Sequence, residues 1–72
     1  MIVEARELTG DDAFYFDLNF APKNGGEYTF MWMDGRRKAM LVRHVSAAPA
    51  GVEVLRASFD VPSHEIYVQS GR

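Results

Sequence analysis

No cysteine occurs among the 72 residues, and that absence removes disulfides, thiolate nucleophiles and every cysteine-ligated zinc or iron–sulfur site. Stability must therefore come from packing. No apolar run approaches the roughly 20 residues that a membrane-spanning helix requires, and neither end carries a lipidation motif. Met1-Ile2-Val3-Glu4 lacks the basic stretch that opens a signal peptide, so a cytoplasmic location with no membrane partner is expected. An excess of positive charge is also missing. The formal net charge of -2 argues against indiscriminate attraction to nucleic acid or anionic lipid, since neither gains from a net negative partner.

The usual chemistry is sparse as well. His44 and His64 stand 20 residues apart with no second ligand at helix or strand spacing, so no metal site is expected. Ser46, Ser58, Ser63 and Ser70 lie in no nucleophile elbow, and no glycine-rich loop leads into a helix to cradle phosphate, so no cofactor is expected. Asp11, Asp12 and Asp17 form the one carboxylate cluster, and a chain this short offers little cleft in which their pKa values could be driven apart. No catalytic residue is assigned, and the chain reads as a non-enzyme.

What is present is apolar and aromatic: 47% hydrophobic residues, 12% aromatic and 25% charged, enough for one small folded domain over residues 1–72. Ile2 to Leu8 reads as a strand, followed by the turn cluster Thr9-Gly10-Asp11-Asp12. From Ala13 to Phe20 the alternation places Phe14, Phe16, Leu18 and Phe20 on one face. A three-residue Asn24-Gly25-Gly26 loop then predicts a hairpin with Phe20 opposite Phe30 and Leu18 opposite Trp32. In the strand Glu27 to Met33, Tyr28, Phe30 and Trp32 share one face while Thr29, Met31 and Met33 share the other. Asp34-Gly35 predicts a two-residue turn into a strand from Arg36 to Val45, setting Tyr28 opposite Leu41, Phe30 opposite Ala39 and Trp32 opposite Arg37.

Beyond the small-residue connection Ser46 to Gly51, Val52 to Phe59 fits a strand better than a short helix, although Val52, Leu55 and Phe59 would also align on a helix. His64 to Gln69 alternates around Ile66 and Val68 as a last strand, and residues 70–72 are expected to fray. The expected fold is all-β: a five- or six-stranded antiparallel meander curled into a small sandwich or partly open barrel.

Charge is segregated along the chain. Glu4, Glu7, Asp11, Asp12 and Asp17 precede residue 22 against Arg6 alone, whereas Arg36, Arg37, Lys38 and Arg43 meet no acid between 35 and 52. Such blocks either steer a charged partner or face each other across paired strands. Tyr15, Trp32 and Tyr67 carry polar handles suited to an interface, Arg37 over Trp32 is a candidate cation–π pair, and Met31, Met33 and Met40 beside Lys38 make a soft strip suited to a protein partner.

These features point to a non-catalytic protein-binding module, a small regulator or inhibitor that occupies a surface on a larger protein or complex. Its expected contacts are Tyr15, Met31, Trp32 and Met33, with Arg36, Arg37, Lys38 and Arg43 as steering charges. The alternative is an OB-like or SH3-like barrel that stacks single-stranded nucleic acid on Trp32 or Tyr28 over a basic strand. A homodimer formed by edge-strand pairing is a third possibility. No motif matches a family residue by residue. In size, lack of cysteine, charge segregation and missing catalytic constellation the chain is similar to small phage-encoded proteins that bind a host machine such as RNA polymerase or a defence nuclease complex. That resemblance of type implies inhibition by steric blocking or by holding one conformation of the target.

Overall fold

Alternating apolar side chains along six short segments produce six strands: β1 (Ile2–Glu7), β2 (Ala13–Leu18), β3 (Glu27–Met31), β4 (Arg37–His44), β5 (Val54–Asp60) and β6 (Glu65–Ser70). The computed structural model describes residues 1–70. The backbone of Ser70 still pairs with Arg56, and the fraying expected of Gly71 and Arg72 lies outside the described residues. The stretch with ambiguous period, 52–60, contributes strand β5 and no helix.

The strands close into a barrel in the order β1-β2-β5-β6-β3-β4, with β4 returning to β1. Three hairpins, β1–β2, β3–β4 and β5–β6, are antiparallel, as is the closing β1–β4 pair, while β2–β5 and β3–β6 run parallel. Every described strand therefore has two partners, although β3 and β6 meet over only two residue pairs, Phe30–Ile66 and Met31–Tyr67.

Each strand sends one or two apolar side chains inward. Val3, Ala5, Phe16, Leu18, Phe30, Met40, Val42, Ala57, Ile66 and Val68 are buried and form one core. Six strands enclose a narrow interior, which two stacked rings fill where Phe16 and Phe30 meet at 4.7 Å between centroids. Trp32 extends the aromatic column toward one end, edge-on to Phe14 at 5.5 Å and Phe16 at 6.2 Å. Phe20 and Phe59 pair at 5.2 Å elsewhere on the core margin.

The strand pairing differs from the sequence expectation in three places. First, β2 and β3 form no hairpin: β2 lies between β1 and β5, and β3 between β4 and β6, so the pairs Phe20–Phe30 and Leu18–Trp32 do not exist. Alternation reveals which face of a strand is buried and says nothing about its neighbour; Phe30 and Trp32 meet Phe16 through the barrel interior, while Phe20 packs on Phe59. The connection 19–26 is held against β4. The Gly25 N–H donates to Val42 O at 2.7 Å, Val42 N–H to Gly26 O at 2.8 Å and His44 N–H to Asn24 Oδ1 at 2.9 Å. His44 Nε2 lies 2.6 Å from the carbonyl of buried Pro22 and must carry the proton there, because a carbonyl only accepts.

Second, the β3–β4 loop has three residues, Met33-Asp34-Gly35. The Trp32 N–H donates to Arg36 O at 2.8 Å, Gly35 N–H donates to Trp32 O at 2.9 Å, and Gly35 takes φ +93°. The extra residue moves the register by one, giving Tyr28–Met40, Phe30–Lys38 and Met31–Arg37. A slip of one residue exchanges the faces of β4, so Met40 and Val42 point inward while Arg37, Ala39 and Leu41 point out. The apolar run Ala39-Met40-Leu41-Val42 supplies both faces equally and cannot decide between the registers.

Third, the all-β expectation holds with six strands, but the path is mixed rather than purely antiparallel, because the 19–26 and 45–53 connections carry the chain to strands that are not its ring neighbours.

Candidate interaction surface

The basic block meets the acidic block. β1 lies antiparallel to β4 with Glu4 directly opposite both Tyr15 on β2 and Arg43 on β4. Glu4 is on the outward face, yet it is buried beneath those neighbours. The Tyr15 hydroxyl donates to Glu4 Oε2 at 2.8 Å, Arg43 Nη2 donates to Oε1 at 3.1 Å, and Arg6 lies 3.5 Å from Oε2. The Tyr15 hydrogen bond, aided by the two guanidiniums and opposed by burial, holds the Glu4 carboxyl below its ordinary range. The same bond, with desolvation, raises the Tyr15 phenol.

The remaining cations of the block are paired too. Arg37 Nε donates to Glu65 Oε2 at 3.1 Å, Lys38 Nζ sits 3.0 Å from Glu7 Oε2 without hydrogen-bond alignment, and Arg36 Nε donates to Asp34 Oδ2 at 2.8 Å. Asp34 also accepts the Arg36 backbone N–H at 3.0 Å, and this bond leads the causes that lower its carboxyl. Glu65 Oε1 is buried with no hydrogen-bond partner among the described residues.

The eight residues expected at a partner surface thus separate into three places. Tyr15 and Arg43 surround Glu4 on the outer wall of β1, β2 and β4. Lys38, turned inward by the shifted register, meets Glu7 at the barrel end, in a hollow of about 340 Å³ shared with Leu8, Thr9 and Arg37. Met31, Trp32, Met33, Arg36 and Arg37 stay together on the β3–β4 hairpin.

Two details of the expected surface change. Met40 is fully buried and leaves the methionine strip, because the register slip sends it into the core. The guanidinium over Trp32 belongs to Arg36, at 5.2 Å from the ring, and not to Arg37, because Arg36 closes the turn opposite Trp32 while Arg37 turns outward to Glu65. Sequence reasoning missed Glu65 as the partner of Arg37; a lone acid 28 residues away gives no local signal.

The hairpin tip is the most exposed apolar feature. Met33 is 82% exposed, and Trp32, Met33, Asp34 and Val68 line an open hollow of about 230 Å³. Tyr67, 37% exposed, stands beside Met31 on the parallel β3–β6 pair and continues the apolar surface around the wall. Among the described residues no group of three or more His, Asp or Glu is placed to hold a metal ion. Comparison with known proteins returns no match to a family model, a curated protein or a solved structure.

Proposed function

We propose that this barrel is a non-catalytic protein-binding module that docks through the β3–β4 hairpin, with Met33, Met31 and Trp32 as its apolar contacts and Tyr67 at the margin. The observation that carries the reading is Met33, 82% exposed on a tight turn, beside a largely apolar hollow walled by Trp32 and Val68. A flexible thioether in that position adapts to the shape of a protein surface, and Trp is enriched among residues that dominate binding energy. The turn is rigidly tied by its own hydrogen bonds and by the Arg36–Asp34 pair, so little ordering remains to oppose association.

Capture from nuclease-treated lysate, wild type beside Met33→Ser and with folding of both checked, tests the reading. A stoichiometric protein partner that the variant loses supports it. Capture that the variant leaves unchanged overturns the assignment of the hairpin.

A further inference from the structure

The hairpin does not stand alone at its end of the barrel. Phe14, just past the β1–β2 turn, packs edge-on to Trp32, just before the β3–β4 turn, at 5.5 Å, and Leu8 N–H reaches Ala39 O at 3.4 Å. Both turns therefore rim the same opening. The basic run of the hairpin is paired within the described residues: Arg36 with Asp34, Arg37 with Glu65 and Lys38 with Glu7. Asp11 and Asp12 on the facing turn are exposed and meet no cation among the described residues. Leu8, 48% exposed, adds a second apolar side chain beside them.

Among the described residues the surface left after internal pairing is apolar with uncompensated negative charge at Asp11 and Asp12, the reverse of what the basic run 36–38 suggests when read along the chain. We infer that the partner segment, on the binding reading proposed above, is a basic amphipathic one that seats an aliphatic side chain beside Trp32 and Met33 and places lysine or arginine against Asp11 and Asp12. An apolar side chain fits a hollow walled mostly by carbon, and opposite charge at the rim orients the segment and speeds encounter. Phosphate backbones are disfavoured by the same two aspartates.

Trp32 is the only tryptophan, so its fluorescence reports on this end alone. The probes are two synthetic amphipathic peptides of equal length, one alternating leucine with lysine and the other leucine with glutamate. At low salt the leucine–lysine peptide is expected to perturb Trp32 and bind about tenfold tighter than its acidic counterpart. Asp11→Asn with Asp12→Asn should weaken that binding several-fold, Met33→Ser should weaken it comparably, and Glu27→Gln, at an exposed acid on β3 outside this rim, should leave it unchanged. Equal binding of both peptides, or indifference to the two aspartate changes, overturns the partner chemistry. A preference for the acidic peptide that Met33→Ser abolishes overturns it while leaving the docking surface standing. No Trp32 response to either peptide overturns both.

Discussion

Glu4 and Arg43 sit directly opposite each other across the β1–β4 seam, with 3.1 Å between Oε1 and Nη2, and their contact fastens the strand pair that closes the ring. Glu4→Gln keeps the shape but loses the charge that Tyr15, Arg43 and Arg6 all address. The expected loss is about 1 kcal/mol, modest because both guanidiniums are more than half exposed and screened. A lowered urea midpoint with unchanged slope checks this.

The same carboxylate makes stability pH-dependent. Its pKa in the fold is below the ordinary value, so its contribution is complete above about pH 4.3, the unfolded range for glutamate, and is lost as pH falls through the lower folded value. Asp34 acts in the same direction through its bond from Arg36 N–H. Glu4→Gln should therefore flatten the acid limb of a stability–pH curve. Tyr15, raised in the fold, contributes on the other side: its share is present below about pH 10 and disappears as pH rises through the higher folded value.

Phe16 is fully buried against Phe30 and near Trp32. Phe16→Ala should cost about 3–5 kcal/mol, a large share of the roughly 4–11 kcal/mol expected for a chain of this length. The near-ultraviolet dichroism of Trp32 should collapse and the thermal transition should broaden or vanish.

Gly35 and Gly26 separate two causes of glycine dependence. At Gly35 an added Cβ meets nothing within 4 Å, but φ is +93°, so Gly35→Ala should cost about 1 kcal/mol by conformational strain alone. Gly26 has no such φ; its Cβ would lie 3.0 Å from Lys23 O and from the Tyr28 ring, so Gly26→Ala should loosen the 19–26 connection by crowding. Amide exchange at Gly25 and Val42 should accelerate in the second variant and stay slow in the first.

His64 holds φ 59°, the one non-glycine residue with positive φ among those described, with its N–H on Asp60 O at 2.8 Å. Asparagine tolerates that backbone and a β-branched residue does not. His64→Asn should change the melting temperature little, while His64→Val should cost about 1–2 kcal/mol. Equal effects would place the edge-on contact with Phe59, 6.0 Å away, above the backbone term.

Five of the six strands were legible in the chain from alternation or a bounding turn cluster, whereas β5 fitted a strand only slightly better than a helix because Val52, Leu55 and Phe59 also fall at helical spacing. Of the aromatics whose alternation marks them as core, Phe16 and Phe30 are fully buried, while Phe20 is only partly buried and packs against the core from its margin. The neighbours of β2 and β3 were not legible, since parallel pairing carries no local turn signature. Nor was the register of β4: Asp34-Gly35 fits both a two-residue loop and the last two places of a three-residue loop, and only the packing of Met40 and Val42 distinguishes them. Of the expected surface, Met33, Trp32 and Arg36 converge because they are adjacent in sequence. Tyr15 and Arg43 lie apart from them, around Glu4, a contact made by residues 11 and 39 positions away that leaves no local signal.

The order of strands around the ring has a kinetic consequence. β2 beside β5, β3 beside β6 and β1 beside β4 are all joins between segments distant in the chain, so the ring must pay the entropy of several loop closures before its core can form. Its three hairpins can form quickly and locally, but none encloses a core alone. Assembly should thus be slow for a chain of 72 residues, on the order of milliseconds to seconds. Whichever of these three joins forms last completes a ring in which each strand is held by two neighbours.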